Sequence, residues 1–234
     1  MAAPDAAAPV SPMADPRIGS RTPNAIRLAL VLACVLLVAL LAVQVWTDGP
    51  VARFDLRVTQ WLATQRSAGL TAFMLLVSAA HQTRWLLAAT ALLAAWLAWR
   101  RGWTPLARLA VVPAGMLLNA GLKHLFQRPR PHLQDPLVHL LSLSFPSGHA
   151  AASTVFYGTL CALAFGRWRS RAIRALALGI ASLMVLLVCF SRVYLGAHYL
   201  SDVVAGVAVG AICLALFLAP PGVPARPRTE GMGP

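Results

Sequence analysis

The sequence predicts an all-α fold: a polytopic membrane bundle of six transmembrane helices. Three observations predict it. The 234 residues are 59% hydrophobic and 12% charged, well under the rough quarter of charged residues usual in soluble domains. Apolar runs about long enough to cross a ~30 Å hydrocarbon layer recur along the chain. The basic residues between those runs are unevenly distributed, as the positive-inside rule describes. A net charge of +13 would point to nucleic acid in a soluble protein. No basic helix or aromatic-studded sheet supports that partner, and arginine-rich cytoplasmic loops account for the charge. The length suits one helical domain and leaves no room for a second large one.

Residues 1–25 are rich in Pro and Ala, lack apolar periodicity, and read as a disordered cytoplasmic tail. Residues 26–46 form the first span, with no charge but Arg27 at its very start. Arg17, Arg21 and Arg27 resemble the basic start of a signal peptide. The apolar run is long for one and no clear A-x-A site follows, so an uncleaved span is expected. In residues 47–83, Asp48, Arg53, Asp55, Arg57 and Arg66 rule out a crossing in the first half. Residues 69–80 are apolar but short, and are expected to lie in the interface or to extend the next helix. The remaining spans are 85–99, 106–126, 147–165, 173–190 and 199–218. One domain thus covers residues 26–219, and residues 220–234 form a second disordered cytoplasmic tail. Cys34, Cys161, Cys189 and Cys213 fall in apolar runs without metal spacing, and read as small packing residues with no disulfide.

The loop charges set the orientation. Arg17, Arg21, Arg27, Arg100, Arg101, Arg108, Arg167, Arg169, Arg171, Arg174, Arg226 and Arg228 fall on one side, twelve of the twenty cations. That side is cytoplasmic, and both termini lie there. Trp46, Trp61 and Trp85 belong near the outer interface, Trp99 and Trp103 near the inner one.

Three polar clusters interrupt the apolar pattern, each at the outer end of an expected span. The first runs from Lys123 to Pro131. Lys123 is the only lysine in the chain, and Gly115 and Asn119 precede it at four-residue steps. That spacing turns a small, a polar and a basic residue to one helix face, towards the bundle. An outward snorkelling anchor is the alternative. The second cluster is Pro146-Ser147-Gly148-His149 before a helical run. Ser is a good N-cap, Gly permits close backbone approach, and amides at a helix start bind anions. An ordinary turn uses the same residues, but a histidine there is disfavoured as imidazolium unless an anion binds. The third cluster spans Ser191 to Asp202. His198 and Asp202, four apart, would share a helix face, and Gly206 and Gly210 continue that face, so it packs tightly against neighbours. Asp202 is the only acidic residue in an expected span, and an ionisable group there is costly and marks function by default. A His–Asp pair that only locks two helices is the bland alternative.

Together these clusters place Lys123, Arg130 and Arg192 beside one anion, Asp202. Like charges repel unless an anion joins them. A phosphoryl group would complete the site, and arginine suits it through bidentate hydrogen bonds. His198 could attack phosphorus as neutral imidazole while Asp202 holds the other ring nitrogen. His149 could protonate the leaving oxygen and then activate water. Two histidines and a carboxylate could instead hold a metal, but three cations would repel one and no second carboxylate is at hand. No metal or other cofactor is therefore expected.

The three motifs, K-x6-R-P at Lys123, Arg130 and Pro131, P-S-G-H at Pro146 to His149, and S-R-x5-H-x3-D at Ser191, Arg192, His198 and Asp202, resemble those of the type 2 phosphatidic acid phosphatases (PAP2). All three are complete and in order. The resemblance implies a helical fold shared with soluble acid phosphatases and vanadium haloperoxidases. It implies metal-independent hydrolysis through a phosphohistidine on His198, with Asp202 assisting and His149 as the acid. It implies phosphate binding by Lys123, Arg130, Ser147, Gly148 and Arg192. The substrate would be a lipid phosphate, such as undecaprenyl diphosphate, phosphatidylglycerophosphate, phosphatidic acid or a lipid A phosphate, taken at the periplasmic face of a bacterial inner membrane. Membrane lipids are the other partner, and oligomeric state is not legible. Arg128, His124 and His132 are extra polar residues, facing either substrate or headgroups. A phosphotransferase, a haloperoxidase and a non-catalytic lipid binder stay open as alternatives.

Overall fold

The computed structural model describes residues 21–102, 106–133, 135–138, 140 and 142–218. Among them the chain forms nine α-helices and no strand. They are α1 (Arg21–Trp46), α2 (Pro50–Thr64), α3 (Ala68–Ala80), α4 (Thr83–Arg101), α5 (Leu106–Leu109), α6 (Val111–Phe126), α7 (Gly148–Arg167), α8 (Arg171–Tyr194) and α9 (Leu200–Phe217). The expected tails lie outside the described residues, except that α1 already begins at Arg21; Trp103 also lies outside.

Local chemistry sets these boundaries. Pro50 opens α2, where its missing N–H leaves no bond unmade. Arg100 and Arg101 close α4 against the negative end of its dipole, before Gly102 at φ +74°. Ser147 caps α7, and its side chain accepts from the Ala150 amide at 3.5 Å. Gln127 ends α6 in the left-handed region.

Four helical stretches are long and apolar enough to cross a bilayer: Asn24–Trp46, Leu106–Phe126, Arg171–Tyr194 and Leu200–Phe217. The expected third span is broken near Ala110 into α5 and α6. The helices at the other two expected spans, α4 and α7, have 19 and 20 residues, about 30 Å each, but fall short of the others in apolar character. α7 sits at the centre, against α4, α6, α8 and α9. Its buried run, Ala150 to Val155, is mostly small residues. α1 packs on α9, and Arg27 Nε donates to the Ala215 carbonyl at 3.0 Å, satisfying an orphan at the α9 C-terminus.

The α7–α9 seam is closed by small residues, as the Gly206/Gly210 spacing predicts. A Cβ on Gly206 would stand 2.5 Å from the Ser147 carbonyl oxygen, and one on Gly210 would stand 2.7 Å from Thr154 Cβ. The seam lets α9 lie close enough for the Ser147 amide to donate to Asp202 O at 2.9 Å.

Residues 47–83 hold more structure than their charges suggested. α2 is amphipathic: Asp55, Thr59 and Leu62 are buried while Phe54, Leu56 and Trp61 are exposed. α3 starts where the Ser67 amide donates to Tyr194 Oη at 3.1 Å. It ends at His81, whose Nε2 meets Tyr157 Oη at 2.7 Å. His81 and Gln82 separate α3 from α4, and Gln82 is extended, so α3 is a short helix of its own and not a continuation of α4.

One end of the bundle collects the last turns of α6 and α8 and the first turns of α7 and α9, with α2 packed on α8 and α9. Around the far end of α7, Arg101, Arg108 and Arg167 line a cleft with Trp96 and Trp168. Gly206→Ala should therefore lower the melting temperature in detergent by the equivalent of ~1–3 kcal/mol of overpacking. Gly179→Ala, with nothing within 4 Å of the added Cβ, should leave it unchanged or raise it. A thermal-shift comparison of the two variants checks the seam.

Candidate active site

Asp202 organises the site. It occupies the first turn of α9 and is fully buried. Its Oδ2 accepts from the Tyr199 amide at 2.9 Å, the reach-back of a capping box. The same oxygen accepts from Ser144 Oγ. Oδ1 accepts from Arg128 Nη1 at 2.6 Å. His198 Nδ1 lies 3.4 Å from Oδ2.

His198 is 2% exposed and lies ahead of α9, not on it. The pairing thus does not come from a shared helix face, which corrects the spacing argument. A turn after α8 makes it instead. The amides of Ala197 and His198 both donate to the Arg192 carbonyl, at 3.0 and 3.2 Å. Gly196 bends the chain at φ +69°, where a Cβ would also collide with Leu133.

The Nε2 edge of His198 faces a cation. Arg130 Nη1 stands 3.2 Å from it and donates to Ala197 O at 2.5 Å. Arg130 is braced by Ser142, through Nε to the carbonyl at 2.6 Å and Nη2 to Oγ at 2.8 Å. Lys123 Nζ donates to Leu143 O at 2.5 Å. Its Cε would be 3.8 Å from a Cβ on Gly148, so the start of α7 lies against the lysine stem. Arg192 is buried, donates to Ser78 Oγ on α3, and keeps an unpaired Nε. His149 sits in the first turn of α7 with Nε2 buried and unpaired. The three clusters therefore meet at one end of the bundle.

Ser147 and Gly148 are in place but differ in use. Ser147 is wholly buried, its amide on Asp202 O and its hydroxyl on the Ala150 amide. The amides of Gly148 and His149, at the helix start, have no acceptor within the helix. A cleft of about 260 Å³ opens beside Arg130, lined also by His132, Leu133, Gly196 and Ala197.

Three residues here escaped the sequence reading of the site, Asp55, Ser144 and Ser201, and a fourth, Arg128, was expected to face substrate or headgroups. Arg128 is no headgroup contact. It is buried, with Nη1 on Asp202 and on Ser201 Oγ at 2.8 Å, Nη2 on Asp55 at 2.8 Å, and its guanidinium 4.0 Å from the Tyr199 ring centroid. Asp55, 1% exposed on α2, also accepts from the Ser201 amide at 2.9 Å and from Ser201 Oγ. The site thus holds four cations and two anions, where the sequence suggested three and one. The amphipathic pattern of α2 was the available signal for Asp55. Ser144 and Ser201 carried none.

The charges tune one another. Burial lowers the His198 pKa most, Asp202 opposes this, and Arg130 and Arg192 add to it. The result is about 3, so the ring is neutral at ordinary pH. Burial alone would also lower Arg128, but Asp202 and Asp55 more than offset it and hold it above its ordinary value. Burial lowers Arg130, with Asp202 in opposition. Among the described residues no three His, Cys, Asp or Glu side chains gather as a metal-binding group.

Residues 105–221 match the family model described as the PAP2 superfamily, half of the chain. The chain belongs to the PAP2 superfamily. Phosphatidylglycerophosphatase B of Bacillus subtilis is 36% identical over 117 residues, covering 48% of this chain and 55% of that protein. Sphingosine-1-phosphate phosphatase 1 of Rattus norvegicus is 33% identical over 107 residues, covering 44% of this chain and 24% of that protein. The chain therefore spans about half the length of the first relative and about a quarter of the second. Among solved structures, a transmembrane PAP2-type phosphatidylglycerolphosphate phosphatase from Bacillus subtilis superposes with a TM-score of 0.72 at 28% identity. That match covers 80% of this chain and 94% of the other. Aquifex aeolicus LpxE superposes with a TM-score of 0.54 at 25% identity, covering 70% and 93%. The apolar helices and these PAP2 relatives mark a membrane protein.

The neutral His198 carries a stability signature. Its folded pKa lies below the unfolded value near 6.5, so between those values the unfolded chain binds more protons. Stability should fall as pH drops from about 6.5 towards 3. Melting temperature against pH should slope less steeply in His198→Gln than in the wild type over that window.

Proposed function

We propose that this PAP2 member is a lipid phosphate phosphatase that works through a phosphohistidine on His198. The observation that carries the reading is the two-sided setting of the imidazole. Its Nδ1 edge faces the buried Asp202 carboxylate and its Nε2 edge faces Arg130. A nucleophile for phosphorus needs its lone pair aimed at a cationic pocket and its other nitrogen held as N–H by a carboxylate.

In this reading the phosphoryl group lies among Lys123, Arg130, Arg192 and the first amides of α7. His198 Nε2 attacks phosphorus and the P–O bond to the lipid breaks. With the anionic phosphate beside it His149 is held protonated, and it gives that proton to the departing oxygen. Water then attacks the phosphohistidine while His149 takes a proton back, which releases phosphate and neutral His198. The cations and amides stabilise charge on the transferring phosphoryl. Ser147 supports the loop more than it offers a free amide. Cations flank the His–Asp pair, where they would repel a divalent ion that would also need further ligands. That arrangement favours chemistry without a metal.

The placement of the site favours a lipid substrate. It lies at the bundle end away from the Arg101–Arg108–Arg167 rim, which the positive-inside rule puts in the cytoplasm. With α4 and α7 counted as spans, six crossings over residues 26–219 leave both tails inside. The site then faces the periplasm of a bacterial inner membrane, where a headgroup reaches it while the tails stay in lipid. The relatives' names favour a phospholipid monoester of the phosphatidylglycerophosphate type, with undecaprenyl diphosphate and phosphatidic acid as further candidates.

Phosphate release by purified protein, with chelator and without any added acceptor, tests this. Wild type should release phosphate from at least one lipid in a panel of those three, and vanadate should inhibit it. His198→Ala should lose turnover by more than about a thousandfold. Full activity in that variant, or turnover only when an alcohol acceptor is added, would defeat the hydrolase reading.

A further inference from the structure

Asp55 lies on α2, outside the matched stretch 105–221 and outside all three motifs. We propose that it is a positioning residue for the reaction: it draws off part of the Arg128 charge, so that Asp202 keeps a net negative charge to offer His198. The inference rests on the reading of His198 as nucleophile.

The geometry sets the problem. Arg128 Nη1 is 2.6 Å from Asp202 Oδ1, closer than the His198 ring nitrogen is to Oδ2, at 3.4 Å. Alone, that guanidinium would cancel the carboxylate when the imidazole turns positive on taking a phosphoryl group. Asp55 binds the other arm of the same guanidinium at 2.8 Å. All three groups are buried, so water screens them little. Two carboxylates and one guanidinium leave the cluster with one net negative charge beside His198. Ser201 spans the same groups: its amide and hydroxyl go to Asp55, and its hydroxyl accepts from Arg128.

A plain structural role would be different. The Asp55–Arg128 pair would then only fasten α2 to the loop and to α9. The two roles diverge in charge arithmetic. Asp55→Asn leaves the cluster neutral. Adding Arg128→Gln removes the cation as well and restores the single negative charge on Asp202.

The test measures kcat and KM for lipid phosphate hydrolysis by full-length protein in detergent, beside the melting temperature of each variant. Asp55→Asn should lower kcat roughly 10- to 100-fold, the scale on which a partner orienting an active group acts. KM should stay within a few-fold, because Asp55 does not touch substrate. Asp55→Glu should keep most of the activity. The double variant Asp55→Asn/Arg128→Gln should recover at least several-fold in kcat over Asp55→Asn alone. A double variant no better than the single one would overturn the proposal. Should Asp55→Asn fail to fold, the double variant decides: kcat within about tenfold of wild type supports the proposal, and a loss beyond a hundredfold overturns it. His198→Ala in the same series separates the two claims. If it retains turnover, the nucleophile assignment fails and this inference falls with it. If it is inactive while Asp55→Asn matches wild type, only this inference fails.

Discussion

A buried carboxylate with four polar neighbours holds this end of the molecule together. Taking Asp202 out of water costs several kcal/mol unless its lone pairs are met. They are met by Arg128 and Ser144 from the loop after α6 and by the Tyr199 amide at the start of its own helix, with His198 alongside. The Asp202 backbone carbonyl in turn accepts from Ser147 at the start of α7. One residue therefore fixes the mutual positions of α7, α9, the loop and the imidazole. Its removal would leave Arg128 and the histidine without their shared partner.

The rest of the bundle makes that arrangement possible. Gly206 and Gly210 let α9 lie on α7 closely enough for the Ser147 amide to reach Asp202 O. Lys123 and Arg130 repel each other and are held by carbonyls of Ser142, Leu143 and Ala197 instead of by carboxylates. Their positive charge thus stays available to an anion, which a neutralising ion pair would have consumed. Buried atoms of Arg192, Asn119 and His149 without partners lie in the same region. Such unpaired groups are costly in a finished core and fit a site that completes its bonding with ligand.

Much of this was legible in the sequence, and the reasons differ by residue. The helices announce themselves through apolar length, because a bilayer demands about twenty residues per crossing. Lys123, His149, Arg192, His198 and Asp202 stand out because a polar group is costly in an apolar context. Gly115, Gly206 and Gly210 stand out through helical spacing. Asp55 did not, because it lies in a segment dense with charge; the amphipathic pattern of α2 was there to be read, but only the fold shows that the Asp55 face turns inward. Arg128 was visible as a residue but not as a role, since its partners are 73 and 74 positions away. The His198–Asp202 pair was found by correct spacing for an incorrect reason: a turn plus a helix start produces it, not a continuous helix.

The central claim is that Asp202 aims the His198 imidazole into a pocket of cations that receives phosphorus. A structure of the protein with orthovanadate, which mimics the five-coordinate phosphoryl state, tests it most directly. The account predicts vanadium bonded to His198 Nε2, its oxygens on Arg130, Arg192 and Lys123, and Asp202 still on the opposite ring nitrogen. Vanadate bound at another residue, or a His198 ring turned away from Asp202 in that complex, would contradict it.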